Sequence, residues 1–165
     1  MASSNERIDI VDEKDLVTEY AVPRIGNEHK RHRIVAVMVV NSDNEVIAPL
    51  RGLHKRTDPG KYASSVAETL SAGESYESAV IRGLEEELSI TKGFNLEPGE
   101  LVVTTGDNPR NMMLFFCRYD GQVSGWEEEA SSIDYLSPSQ VGSLMKTSPE
   151  KFSDGSLFCY KETVA

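Results

Sequence analysis

Cysteine is nearly missing from this chain: two in 165 residues, Cys117 and Cys159, each inside an apolar run. Two are too few for a disulfide framework or a thiolate zinc cluster, and buried, reduced thiols point to a cytoplasmic setting. No apolar stretch approaches the ~20 residues that a membrane-spanning helix needs. The opening Met1–Glu6 has neither the basic nor the apolar segment of a secretory signal. Basic charge is short as well. Seventeen Lys and Arg stand against 27 Asp and Glu, a net charge of −10, which disfavours binding to duplex nucleic acid or to an anionic membrane. Repeats, linkers and low-complexity segments are absent, so a single domain over 1–165 is expected, with the first six residues flexible.

What charge there is lies unevenly. Between Arg24 and Lys61 the balance is +4, with eight basic and four acidic residues, so the remainder is strongly acidic. A positive rim facing a negative pocket suits a phosphate bridged by metal, although scattered surface charge gives the same count. The pattern of apolar residues predicts strands at 8–12, 17–22, 34–40, 46–50, 64–70, 101–105, 112–119 and 133–136. Ile34–Val40 is almost wholly β-branched or apolar, the mark of a strand covered on both faces. Pro49 implies an edge or a bulge. Helices are expected over 73–90, from Pro138 to Met145, and from Gly155 to the end.

The 73–90 helix carries the chemistry. Ser75 can cap it, and Tyr76, Val80, Leu84 and Leu88 form one apolar stripe. At about 100° per residue, positions 83, 86 and 87 share a face beside that stripe, while Glu85 points away. Paired carboxylates on a rigid helix suit Mg²⁺ or Mn²⁺, which prefer hard oxygen ligands. A solvated acidic turn is the commoner use of such a sequence.

The residues around those acids resemble the box of the Nudix hydrolase family, G-x5-E-x7-R-E-U-x-E-E-x-G-U with U apolar. Glu74, Arg82, Leu84, Glu86, Glu87 and Ile90 fall on its positions. The likeness covers roughly 6–150. Ile8–Asp12, Asn41–Asp43, Arg51, Lys55, Pro59-Gly60 and Tyr135–Pro138 are similar to the isopentenyl-diphosphate-isomerase-like branch. The resemblance implies an α/β fold, the Nudix α/β/α sandwich with a mixed central sheet, and homodimers, which are frequent among its members. It also implies a phosphorylated small molecule as ligand: a nucleoside diphosphate linked to another moiety, bridged by Mg²⁺ or Mn²⁺. Glu86, Glu87 and Glu74 with the Ala67 carbonyl are the implied metal donors. Arg82 would orient the acids and Glu129 would supply a further one, while Arg51 and Lys55 would contact phosphate.

Three box positions depart. Gly83 replaces the Glu after the arginine, Glu68 replaces the leading Gly, and Ser89 replaces the Gly before Ile90. A degenerate box implies a protein that binds a diphosphate-containing ligand and hydrolyses it weakly or not at all. The alternative is an active hydrolase in which Glu68, Glu74 or Glu129 stands in, and restoring Glu at 83 is the obvious probe. Isomerase chemistry is excluded, because Ala67 and Thr69 occupy the positions of the branch's catalytic Cys and a ligand His. His32 matches another ligand position, but Ile25 replaces its partner.

Overall fold

The β-branched run forms the strand around which the molecule is organised. The computed structural model describes residues 5–164. Its strands are β1 (Arg7–Val11), β2 (Val17–Pro23), β3 (His32–Val40), β4 (Val46–Arg51), β5 (Val66–Thr69), β6 (Asn95–Val103), β7 (Arg110–Arg118) and β8 (Ala130–Leu136). Its helices are α1 (Tyr76–Leu88), α2 (Pro138–Thr147) and α3 (Asp154–Thr163). Along one edge β3 pairs in parallel with β7, from His32 opposite Arg110 to Val40 opposite Arg118. Along the other it meets β1 at His32, β5 at Ile34–Val37 and β4 at Val40, all antiparallel.

Alternation along β3 divides the core in two. Val35, Val37 and Val39 point into a layer closed by Ala79, Val80, Leu84 and Leu88 of α1. Ala36, Met38 and Val40 point into the opposite layer, closed by Val141 of α2 and by Cys159 and Tyr160 of α3. Each fully buried Val or Leu stabilises by about 1.5–3 kcal/mol, so β3 anchors both faces of the sandwich. The fold is the expected α/β/α arrangement around a mixed sheet.

Several boundaries differ from the expectations. β6 starts at Asn95, well before 101, because a register shift between Pro98 and Leu101 accommodates Pro98-Gly99 on a strand paired only with β7. Beside Pro49 the pairing of β4 with β8 shifts register at Leu50/Arg51. Residues 1–4 of the expected flexible start lie outside the described residues. Glu6, by contrast, is held: its carbonyl accepts from the Arg24 N–H at 2.9 Å and its carboxylate pairs with the Arg24 guanidinium at 2.9 Å. Both cysteines are buried and free. Among the described residues no helix is long and apolar enough to cross a membrane.

Candidate functional site

α1 lies across β5 at unusually close range, and residue 83 is the reason. A Cβ built on Gly83 would stand 2.7 Å from Glu68 Cγ and 2.7 Å from Val66 Cγ1. Val66 and Glu68 alternate with Ala67 along β5 and therefore both face the helix. Val66 sinks into the core, whereas Glu68 stays at its rim with 19% of its side chain exposed.

Arg82 gathers the carboxylates. Its Nε and Nη2 donate to the two oxygens of Glu74 at 3.0 and 3.1 Å, and Nη1 donates to Glu68 Oε2 at 2.9 Å. Nη1 reaches Glu86 at 3.5 Å, and Nη2 also donates to the Thr69 carbonyl at 3.0 Å. This planar fork is what guanidinium supplies and ammonium cannot. The Glu74 bonds, against the opposing effect of burial and with help from Glu68, push the Arg82 pKa up. Burial works against the charge of Glu74, yet Arg82 and the Ser71 N–H (2.8 Å) hold its carboxyl below the usual range. Glu74, expected among the metal donors, therefore has both oxygens engaged and is placed as the anchor of Arg82.

Glu87 occupies the inner position. Burial pushes its carboxyl well above the ordinary range. The charges of Glu68 and Glu129 and a hydrogen bond shared with Glu68 act the same way, while the Ala67 backbone opposes them. Glu68 is also raised, mainly by burial, with Arg82 pulling it back down. Two partly buried carboxyl groups held together favour sharing a proton unless a cation lies between them. The Ala67 backbone belongs to the same spot. Because the Leu70 N–H donates to the Arg33 carbonyl (3.1 Å), ladder alternation pairs Glu68 with Val35 and turns Ala67 and Thr69 outward. Thr69 spends its outward carbonyl on Arg82, and Ala67 retains its own.

The rim is less committed. Glu129 follows a 3-10 turn at Trp126–Glu128 and forms an ion pair with Lys55, so the expected phosphate contact and the expected extra acid neutralise each other. Arg51 is turned onto its own loop, donating from Nε to the Thr57 carbonyl at 3.0 Å and from Nη2 to Thr57 Oγ1 at 3.2 Å. Glu86 is 57% exposed at the helix surface. Trp126 packs against the α1 side of the core. His32 is sealed at the start of β3, with Nδ1 2.8 Å from the Lys30 carbonyl. Burial, then the charge of Arg110, lowers its pKa to about 4, leaving a neutral ring with no part in the site.

Whether a divalent ion fits can be judged from these donors. Glu68, Glu87 and the Ala67 carbonyl are all hard oxygens, the set that Mg²⁺ and Mn²⁺ take, and the mutual aversion of the two carboxylates is the condition such an ion relieves. Among the described residues no three acidic, histidine or cysteine side chains form a complete cage. Backbone oxygen and water must therefore complete the shell, as Mg²⁺ commonly allows.

One group of residues escaped sequence reasoning. Asp15 Oδ1 accepts from Arg33 Nε (3.0 Å), the Tyr76 hydroxyl (3.0 Å) and Asn111 Nδ2 (2.8 Å), pinning the β1–β2 turn to β3, the start of α1 and β7. Its positive φ of 65° is a conformation that an aspartate in a Lys-Asp turn adopts more readily than most residues, a faint signal in the sequence.

Known proteins resemble this chain in sequence and in fold. The NUDIX domain model matches residues 30–155. An uncharacterized Nudix hydrolase of Streptomyces coelicolor is 38% identical over 91 residues, a stretch spanning 53% of this chain and 49% of that protein. The crystal structure of DR0079 from Deinococcus radiodurans superposes with a TM-score of 0.77 at 21% identity, covering 97% of this chain and 100% of that one. The NUDIX domain of Shewanella oneidensis NrtR, solved with ADP ribose, gives a TM-score of 0.60 at 11% identity over 79% of this chain and 84% of that one.

Proposed function

The chain belongs to the Nudix family, and from that premise we propose that it is a Mg²⁺- or Mn²⁺-dependent hydrolase of a nucleoside diphosphate linked to another moiety. The observation that carries this reading is the carboxyl pair Glu68–Glu87, held together beside the outward-facing Ala67 backbone and steadied by Arg82. Two carboxyl groups held close with raised pKa values beside a guanidinium are the kind of arrangement that functional sites use. The ADP ribose bound by the Shewanella relative has the ligand chemistry proposed here: a diphosphate between a nucleoside and a sugar.

Glu87, Glu68 and the Ala67 carbonyl would hold the cation, with Glu86 joining once it leaves the long 3.5 Å contact to Arg82. When bound, the ion screens the diphosphate and lowers the pKa of water in its shell. Arg82 fixes the direction of Glu68 and, through Glu74, its own position. Hydrolysis joins the water oxygen to phosphorus and breaks a bridging P–O bond. A carboxylate of the site takes the water's proton, and the departing phosphate carries the electron pair. Lys55 lies at the rim, where an incoming phosphate competes with Glu129 for it.

A second reading, binding with little or no turnover, rests on Gly83, which removes the helix carboxylate. Incubating the protein with nucleotide sugars, dinucleotides and nucleoside triphosphates, with and without Mg²⁺ or Mn²⁺, separates the two. Cation-dependent release of nucleoside phosphate, reduced tenfold or more (on the order expected for a lost acid or metal donor) by Glu87→Gln, supports hydrolysis. Silence across the whole panel supports binding alone.

A further inference from the structure

We infer that Glu68 and Gly83 are a transposed pair: the carboxylate that the Nudix box carries on the helix after its arginine is supplied here from the adjacent strand, by Glu68, through the space that Gly83 leaves open, and it acts with Glu87 on the cation. The inference rests on the metal-dependent reading above.

The two departures from the box are reciprocal. Position 83 exchanges Glu for Gly, and position 68 exchanges Gly for Glu. A glycine inside a helix is destabilising by about 0.5–1 kcal/mol relative to alanine, and a charged residue on a helix-facing strand position is disfavoured unless it is paired. Together they fit, because Glu68 Cγ lies 2.7 Å from where a Gly83 Cβ would be, so that a side chain at 83 would require Glu68, and Val66 beside it, to shift. β5 alternation points Glu68 at the helix, and Arg82 Nη1 fixes one of its oxygens at 2.9 Å. A carboxylate starting from the strand thus ends beside the helix residue whose carboxylate is missing. The same contact explains why Gly83→Glu by itself is a poor restoration: the new side chain meets both Glu68 and Val66.

The test uses the full chain and four proteins: the unaltered chain, Glu68→Gln, Gly83→Glu, and the double exchange Glu68→Gly/Gly83→Glu. Mn²⁺ binding is followed by the loss of the free-ion EPR signal, with melting temperature and diphosphate hydrolysis measured in parallel. Glu68→Gln is isosteric and keeps the fold. It is expected to weaken Mn²⁺ binding about tenfold or more while melting no lower than the unaltered chain. Gly83→Glu is expected to melt lower, and the double exchange to recover the part of that loss that Glu68 causes, the contact with Val66 remaining, and to bind Mn²⁺ within about threefold of the unaltered protein. Unchanged Mn²⁺ affinity in Glu68→Gln, with a lower melting temperature, would show Glu68 to be only a partner of Arg82 and sinks the inference while leaving the hydrolase reading intact. A double exchange that gains activity absent from the unaltered chain also sinks it, since Glu68 would then be a plug. If the unaltered chain neither binds Mn²⁺ nor hydrolyses any diphosphate, the hydrolase reading fails first and takes the inference with it.

Discussion

Glu87 is held in the fold at a cost in stability that depends on pH. Its folded-state pKa is raised, chiefly by burial and then by Glu68 and Glu129. A carboxyl raised on folding contributes stability that is full below its unfolded pKa, about 4.3, and is lost as pH rises through the folded value. The metal-free protein at neutral pH is therefore destabilised by its own site. Glu87→Gln removes the charge at constant shape and is expected to raise the melting temperature of the metal-free protein by about 2–4 °C at pH 7.5, roughly 1 kcal/mol in a chain of this size. The gain should shrink as pH falls toward 4.5, and scanning calorimetry across that range checks it. His32 has the opposite sign. Its pKa of about 4 means that stability is present above its unfolded value, about 6.5, and is lost as pH falls toward 4. The same substitution should therefore expose the acid-side decline that the carboxyl pair otherwise offsets.

At this scale the sequence spoke unevenly. Glu86 and Glu87 could be placed beside position 83 because a helix converts spacing directly into a shared face, while Arg82 was picked out by its place in the family box. Glu68 reads in the sequence either as a stand-in for the missing acid or as a block, since whether a strand residue fills a gap or blocks one depends on how closely the helix approaches. Glu74 and Lys55 are ligand positions in the family pattern, and here Glu74 bonds Arg82 while Lys55 pairs with Glu129. Partner choice among like charges is decided by three-dimensional proximity, which no spacing encodes.

Among the elements, α1 was the most fully readable. Ser75 accepts from the Ser78 N–H at 3.2 Å, as a capping serine should, and the helix ends one residue before Ser89. Ser89 has φ 56° and ψ 30°, the left-handed conformation in which its N–H donates back to the Glu85 carbonyl. Here lies the physical meaning of the glycine that the Nudix box has at this place: a C-terminal stop without Cβ strain. Ser89→Gly is expected to stabilise the protein by about 0.5–1 kcal/mol, the left-handed penalty less the added freedom of the unfolded glycine. In urea the unfolding midpoint should rise with the slope unchanged. The edge strand β6 was half missed for a related reason. Pro98-Gly99 reads as a turn, and only pairing with β7 on one side, with a bulge to absorb the pair, permits a strand there.

On the scale of the whole molecule, charge and layering were legible before coordinates. The two-sided apolar strand and the alternation of strands with a central helix pointed to a mixed α/β fold, the family resemblance implied its α/β/α layering, and that is the architecture found. The order of strands around β3 was not legible, because β1, β4 and β5 take turns along a single edge and nothing local specifies which comes where. The arrangement is open to optical measurement. The single tryptophan, Trp126, packs on the α1 side, whereas Tyr62, Phe152 and Tyr160 cluster on the other, with ring centroids 5.7 and 4.7 Å apart. Tryptophan fluorescence and far-ultraviolet circular dichroism should give one coincident transition, and separated midpoints would show that the halves melt independently.

β3 is the spine shared by both compartments, each of its residues answering to one face and flanked by two that answer to the other. A change that shifts β3 on one face moves residues packed on the other, so the carboxylates beside α1 draw on packing beyond their own helix. Remote substitutions on the aromatic side should therefore be felt as lost alignment at the acids, long before the chain comes apart.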